Sequence, residues 1–319
     1  MHSLKIVFLI LLFVNFCQGQ ISITNVANKV DRDTKIVFDS TENFLGVNAF
    51  NYIGQTLYLP GKELAFRQFG YDRLYIDYKK SELDKNNIYK CGKGFNSNYD
   101  ELNNKYFLVL DVISGANDIE SEIIYGKIFY FKLEEKDSKD ILYYKYFSKS
   151  ESSFDFILVS FYEKLKLLSI GNDYVCSEKL IASSTDVDTG KPIANIIGES
   201  WKCLDVTIDN NSQRLSLLLK NKMGNKVLVR YSSVLGTWAL GRTFKKSDAK
   251  DYIKKFGNKQ FENILQGKCI IGMTKEMCKL AWGEPNKINE TIYLNKNSEQ
   301  WVYSDNYLYF DNGKLIAIQ

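Results

Sequence analysis

Histidine is almost absent from this sequence. The only one among the 319 residues is His2, which lies in a segment that we expect to be cleaved off. Without histidine, the mature chain would have no Ser-His-Asp or Cys-His nucleophilic site and no imidazole-dependent metal site. Phosphate-binding loops and dinucleotide fingerprints are also missing, since Cys91-Gly92-Lys93-Gly94 lacks their spacing and flanks. We therefore predict a non-catalytic protein with no catalytic residues, metal site or cofactor.

Long apolar runs and an excess of one charge are also lacking. Beyond the first residues, no segment is apolar over the ~18 positions that a membrane-spanning helix needs. The net charge is only +4, and lysines are interspersed with acidic residues, a pattern typical of an ordinary solvated surface. We predict neither a transmembrane segment nor a nucleic-acid partner. The 3 prolines and the 14% aromatic content favour strands over linkers.

The first 19 residues have the pattern of a secretory signal peptide. A short start containing Lys5 precedes an apolar run at residues 6–13, and Cys17 and Gly19 fit the small positions before a cleavage site. We predict cleavage after Gly19, so that the mature chain begins at Gln20 and is periplasmic or secreted. Lipidation of Cys17 is the alternative, and the bulky Phe16 before it argues against that.

Five cysteines remain after this cleavage: Cys91, Cys176, Cys203, Cys269 and Cys278. An oxidising compartment favours disulfides, but an odd number leaves at least one cysteine free or paired with another chain. We interpret them first as small buried hydrophobic side chains. No CxxC pair is present, which argues against a zinc ribbon or a thioredoxin-type site.

After a polar linker at residues 20–43, strand-like segments recur twice in the same order. Runs rich in β-branched and aromatic residues alternate with turns rich in Gly, Asn, Asp and Ser. We predict two copies of one small β-unit, at residues 44–150 and 161–240, with SH3-like barrels as the candidate fold. A chance match of short strand patterns is the alternative. The matched pairs are 53–59 with 170–176, 107–112 with 201–206, 131–133 with 217–219 and 141–143 with 227–229.

Two matched carboxylates and two aromatic runs are the candidate ligand-binding features. A carboxylate pair can hydrolyse glycosides without histidine, and Asp111 and Asp205 occupy matched positions in the two units. The competing interpretation makes each of them a polar residue on a strand or a turn anchor, and we favour it. Residues 143–147 and 303–310 are rich in aromatic side chains and could form a glycan- or peptide-binding face, although such stripes usually alternate between core and surface.

Residues 247–319 have a different, mixed helical and strand pattern. Two helices are predicted at residues 248–256, with Ser247 as N-cap and Gly257 at the exit, and at residues 260–265. A third is predicted to begin after the N-cap Thr274, to bury Met277, Leu280 and Ala281, and to end at Gly283. Three strands follow, and Asp311-Asn312-Gly313 predicts a hairpin between the last two.

This C-terminal segment resembles the BamE-like (SmpA/OmlA) domain of bacterial envelope proteins. The resemblance rests on Gly272-Met273-Thr274, a short helix ending in Gly283-Glu284-Pro285, then Trp301-Val302-Tyr303 and a hairpin with Asn312-Gly313. It implies a helical layer packed on a three-stranded antiparallel sheet. The whole chain also resembles the large secreted proteins of Bacteroidota that end in such a domain. We therefore expect an α+β chain, with a β-rich N-terminal region followed by this two-layer domain.

These features favour an exported binding or scaffold module of the cell envelope, with an envelope protein or a glycan as partner. A fold alone does not determine a function, so two alternatives stay open. One is a glycan hydrolase that uses the paired carboxylates, and the other is an inhibitor of a secreted enzyme.

Overall fold

The computed structural model describes residues 23–24, 41–116, 119–194, 196–234, 241–293 and 296–319. The predicted signal peptide, residue Gln20 and most of the predicted linker lie outside the described residues. Within the described part of the chain, no helix is both long and apolar enough to cross a membrane.

The first sheet has six antiparallel strands. In β5 (Ile128–Glu135), Phe129, Phe131 and Leu133 are buried and alternate with half-buried neighbours, as expected of a strand with one face on a core. The strand order is β3-β6-β5-β4-β2-β7. The other strands are β2 (Thr56–Leu59), β3 (Leu74–Tyr75), β4 (Lys105–Ser114), β6 (Ile141–Phe147) and β7 (Ile157–Leu158).

The second sheet has the order β11-β10-β9-β8-β12, and a short strand β1 (Ile23–Thr24) pairs with β9. Its last strand, β12, begins after residue 240, where the second predicted unit ends. Strand β7 of the first sheet likewise begins after residue 150, where the first predicted unit ends. The strands are β8 (Asp173–Cys176), β9 (Ser200–Asp209), β10 (Leu215–Lys220), β11 (Lys226–Arg230) and β12 (Thr243–Lys245).

Strand order and register are the same in the two sheets. Strands β2, β4, β5, β6 and β7 correspond in order to β8, β9, β10, β11 and β12. The Leu57–Phe107 pair between β2 and β4 corresponds to the Tyr174–Trp201 pair between β8 and β9. Three of the four matched segment pairs therefore lie at equivalent positions in the two sheets. The match of 141–143 with 227–229 is one residue out of register, because Val227 corresponds to Leu142 and not to Ile141.

A β-bulge also recurs at the same place. The pairing of β4 with β5 skips Leu110, and the pairing of β9 with β10 skips Leu204. Both leucines are 38% exposed. The amide of Gly54 donates to the carbonyl oxygen of Val109 (2.8 Å), beside the first bulge, and the amide of Gly171 donates to that of Cys203 (2.9 Å), beside the second. A bulge bends its strand and redirects side chains, so both units present a leucine outward in the same way.

One helix joins the two sheets in a common core. The buried side chains of α3 (Val159–Ser169) include Phe161, Tyr162 and Leu165, and the hydroxyl of Tyr162 donates to the carbonyl oxygen of Val206 (2.7 Å). The continuous core cluster contains residues of both sheets and of this helix. The short helices α1 (Tyr99–Leu102), α2 (Ile119–Tyr125) and α4 (Glu178–Ala182) lie in the connections, and a 3₁₀ turn, Ala49–Tyr52, precedes β2.

The C-terminal segment forms a helical layer on an antiparallel sheet of order β13-β14-β15-β16. Buried Met277, Cys278 and Leu280 of the third helix share a core cluster with Trp301, Leu308, Phe310 and Leu315 of the sheet. The helices are α5 (Lys246–Phe256), α6 (Asn258–Leu265) and α7 (Lys275–Trp282), and the strands are β13 (Lys287–Tyr293), β14 (Lys296–Val302), β15 (Tyr307–Asp311) and β16 (Lys314–Ile318). The α+β class is therefore confirmed.

Local end signals in this segment were mostly predicted correctly. The hydroxyl of Thr274 accepts a hydrogen bond from the amide of Met277 (3.2 Å), so Thr274 is the N-cap of α7. Gly283 ends that helix at φ +86°. Asn312 and Gly313, at φ +46° and +76°, form the predicted two-residue hairpin turn.

Three details differ from the prediction. The sheet has four strands instead of three, because the mostly polar β13 pairs with β14 and forms the edge of the sheet. Polar and charged residues are common on edge strands. Ser247 is not an N-cap, because α5 already begins at Lys246, and its hydroxyl instead donates to the carboxylate of Asp248 (2.9 Å). In α7 the most deeply buried side chain is Cys278, whereas Ala281 is only partly buried.

Candidate functional site

Asp111 and Asp205 each bind the backbone next to a bulge. The carboxylate of Asp111 accepts a hydrogen bond from the amide of Val112 (2.8 Å), and that of Asp205 accepts one from the amide of Val206 (2.8 Å). Neither residue lines the two cavities described below. The structure therefore gives both carboxylates a local anchoring contact at the bulge.

Asp205 also forms an ion pair with a lysine, a contact that Asp111 lacks among the described residues. The ammonium group of Lys166 on α3 lies 3.0 Å from the carboxylate of Asp205. Burial opposes the charged form of Lys166, but the hydrogen bond and the charge of Asp205 outweigh it, so the pKa of Lys166 is raised. This ion pair ties α3 to the second sheet and occupies the carboxylate.

The two aromatic runs do not form open faces. Tyr144 and Tyr146 are buried in the core. Of their neighbours in the run, the ring of Tyr143 lies 5.0 Å from that of Tyr78, and the ring of Phe147 lies 4.7 Å from that of Tyr125. In the second run Leu308 and Phe310 are buried beneath α7. Most of these side chains are therefore used in packing.

A cleft lined by lysines lies on the outer face of the second sheet, the face opposite to buried Trp201 and Cys203. It has a volume of about 270 Å³, and its charged lining consists of Asp173 and four lysines. The bulge residue Leu204 contributes an apolar patch. The four lysines are Lys202, Lys220, Lys222 and Lys246.

Strand pairing brings these lysines together. Lys202 on β9 lies directly opposite Asp173 on β8 and directly opposite Lys220 on β10. Lys220 in turn lies opposite Lys226 on β11. Lys246 is the first residue of α5, which follows β12 without a loop.

The positive charge of the cleft is only partly neutralised. Lys246 contacts Asp173 at 3.3 Å, and Lys226 contacts Asp188 at 2.9 Å. Within the residues that the structure describes, the ammonium groups of Lys202, Lys220 and Lys222 form no ion pair or hydrogen bond. Like charges directly opposite each other destabilise a sheet, so an anion placed between Lys202 and Lys220 would be favoured.

The beginning of α5 adds to this preference. Its N-cap residue, Lys245, provides no side-chain hydrogen bond to the first turn. Helix N-termini carry a partial positive charge and amide donors that favour anions. The partial charge of the helix start acts in the same sense as the lysines, and Asp248 in the first turn offsets part of it.

The fold does not require these lysines. By register, the positions of Lys202 and Lys220 correspond to Leu108 and Glu134 in the first sheet. Glu134 there forms an ion pair with Lys139 at 3.1 Å. The equivalent strands of the first sheet thus accommodate an apolar residue at the position of Lys202 and an acidic residue at that of Lys220.

The thiols and acidic groups provide no comparable site. Of the five described cysteines, only Cys91 is exposed, and burial raises the pKa of Cys176 and Cys203 to about 12. Among the residues that the structure describes, no group of three or more His, Cys, Asp or Glu side chains is placed to hold a metal ion.

Comparisons with known proteins do not place the chain in a family. No family model matches it, and neither a curated protein nor a solved structure resembles it significantly. The lysine-lined cleft is therefore the main basis for a functional assignment.

Proposed function

We propose that this chain is an exported, non-catalytic binding protein of the bacterial envelope, and that its lysine-lined cleft binds an acidic glycan. The observation that carries the proposal is the pair Lys202 and Lys220, which lie directly opposite each other on neighbouring strands and form no ion pair within the described residues. Export rests on the signal-peptide pattern of residues 1–19. We also propose that the C-terminal domain is BamE-like and that the region before it repeats an SH3-like β-unit.

The geometry of the cleft suits an extended polyanion better than a small enclosed ligand. Neighbouring strands lie about 4.8 Å apart, so the lysines of β9 and β10 present charges at a spacing comparable to the repeat of a sugar chain. Lys222 extends the charge beyond the end of β10, and the cleft lies on an exposed sheet face. Carboxylates on successive sugars would contact these ammonium groups while the polymer continues beyond the cleft.

Calorimetric titration with polygalacturonate, compared with neutral dextran, tests this proposal. We expect salt-sensitive binding to polygalacturonate only, because screening weakens exposed charge pairs. The double variant Lys202→Gln/Lys220→Gln should lose at least about tenfold in affinity, or about 1.4 kcal/mol.

A matched control is Lys80→Gln/Lys93→Gln, which removes two exposed lysines from the first unit. It should bind polygalacturonate like the unmodified chain. Equal losses in both double variants would mean that only the net charge matters, and equal binding of dextran would contradict an acidic ligand.

Binding of a protein partner is the second candidate function. It is favoured by the segment of the chain that connects β2 with β4. Large apolar side chains are exposed there, among them Leu64 (79%) and Phe66 (55%), and exposed apolar patches are typical of protein interfaces. A pull-down from solubilised envelope should recover a partner that Leu64→Ser/Phe66→Ser loses. The control Leu167→Ser removes another exposed leucine and should retain the partner. Recovery of the same proteins by all variants would count against this candidate.

A further inference from the structure

A second cavity, of about 310 Å³, adjoins the lysine-lined cleft. It lies between β8, the loop containing Ile197, and the helices α5 and α6. Its lining is mainly apolar and includes the charged residues Lys246, Lys250 and Glu262. The apolar lining residues are Val175, Ile197, Ala249, Ile253, Phe261 and Leu265.

The two cavities are neighbouring parts of one groove. Lys246 lines both of them. Asp173 lines the cleft and Val175 lines the apolar cavity, and alternate residues of a strand lie on the same face about 6.6 Å apart. An occupant of the cleft could therefore extend past Lys246 into the apolar cavity.

The division of the groove matches a molecule with two chemically different ends. Val175, Ala249 and Phe261 are buried and present apolar surface, which favours alkyl groups over water. Ile197 also lines the cavity and, at 39% exposed, leaves apolar surface accessible to a ligand. The other end offers the ammonium groups of Lys202 and Lys220, for which the described residues provide no ion pair. Binding sites commonly combine an apolar cavity with a few polar groups that fix orientation.

We propose that the ligand is an acidic glycolipid. Its acidic sugar lies between Lys202 and Lys220, and its alkyl chain passes Lys246 and enters the cavity between α5 and α6. This inference rests on the proposed function, because it takes the lysine-lined cleft as the site of the acidic group. It adds that an alkyl chain contributes to affinity.

Four probes separate the two contributions in calorimetric titrations of the chain lacking residues 1–19: methyl β-glucuronide, octyl β-glucuronide, octyl β-glucoside and methyl β-glucoside. The octyl compounds are used below their micelle concentrations. We expect octyl glucuronide to bind at least about tenfold more tightly than either methyl glucuronide or octyl glucoside. A tenfold gain needs the burial of only about two methylenes.

Variants locate each end of the ligand. Ile197→Ser should reduce the affinity for octyl glucuronide several-fold, whereas Ile271→Ser, which changes an exposed isoleucine (66%) outside the groove, should leave it unchanged. Lys202→Gln/Lys220→Gln should weaken both glucuronides. Circular dichroism establishes that each variant is folded.

The outcomes distinguish the two proposals. Equal affinity for octyl and methyl glucuronide would overturn the glycolipid inference and leave acidic-glycan binding intact; this result is also expected if another segment of the chain fills the cavity. Octyl glucoside binding as tightly as octyl glucuronide would overturn the acidic head group. Failure of both the glucuronides and polygalacturonate to bind would overturn the proposed function itself.

Discussion

Replacing Leu280 by alanine tests whether α7 is held on the terminal sheet by packing. Leu280 is 8% exposed and belongs to the core cluster that contains Trp301, Leu308 and Leu315. Removing a buried leucine side chain costs about 2–5 kcal/mol, since transfer free energy is lost and a cavity remains. Thr274→Ala removes only the cap hydrogen bond that the Thr274 hydroxyl accepts from the amide of Met277, and it should cost about 1 kcal/mol.

Hydrogen exchange measured by mass spectrometry on peptides from residues 296–318 is the suitable assay. A chain with more than one structural unit need not unfold in a single transition, whereas exchange reports the local free energy of opening. Ile316→Ala provides a matched control, because Ile316 is 54% exposed and follows buried Leu315 on β16. If Leu280→Ala proves as mild as Thr274→Ala or Ile316→Ala, α7 does not pack on the sheet, and the BamE-like assignment loses its main support.

Three further predictions concern thiols, acid stability and the N-terminus. The native chain lacking residues 1–19 should react with a thiol reagent at about one site, Cys91, because the other four described cysteines are buried; rapid reaction of several thiols would contradict this. Burial opposes the charge of Glu299, but the hydrogen bond from Lys275 helps to outweigh it and lowers its pKa. The contribution of this ion pair to stability is present above the usual carboxyl pKa of ~4.3 and is lost as pH falls through the pKa of the folded state. The melting temperatures of Glu299→Gln and the unmodified chain should therefore converge in acid. A difference that stays constant with pH would refute the ion pair. Mass spectrometry of the exported protein should find Gln20 first, and an acylated Cys17 would contradict this.

Strands with strict alternation were predictable from the sequence. Residues 141–143 belong to a predicted strand-like segment and residues 143–147 to an aromatic run, and strand β6, Ile141–Phe147, covers both. The reason is local: buried Leu142, Tyr144 and Tyr146 alternate with less buried neighbours, and turn-forming residues flank the run. The terminal hairpin was predictable for the same kind of reason, because Asn312-Gly313 is itself turn-forming.

Elements that depend on distant partners were not predictable in this way. Strand β7 has only two residues and exists through its pairing with β2, about 100 positions earlier. Buried Glu135 on β5 accepts hydrogen bonds from the ammonium group of Lys90 (2.8 Å) and the hydroxyl of Tyr89 (2.7 Å). These groups fix the β2–β4 connection onto the sheet, and no local pattern relates residues so far apart.

The candidate site was missed for a similar reason. Lys202, Lys220 and Lys246 are scattered through a sequence with mixed charges, so no basic run indicates them. They come together only when the register of β9 with β10 and the position of α5 are known. One sequence signal could have helped to find these lysines, namely the match between the two units. It aligns Lys202 and Lys220 with residues of the first unit that are not basic.

This difference between equivalent positions leads to a last prediction, that the lysines of the cleft bind ligand at a cost in stability. Lys220→Glu places at that position the acidic residue that the first sheet has as Glu134. The new carboxylate would face Lys202 on one side and Lys226 on the other, so two repulsive pairs become attractive, each worth roughly 0.2–1 kcal/mol. Hydrogen exchange of peptides from β9 and β10 at low salt should therefore show a higher free energy of opening. Titration should show binding to polygalacturonate weakened at least about tenfold. A less stable variant would mean that Lys220 supports the fold, and the argument that these lysines are present for a ligand would fail.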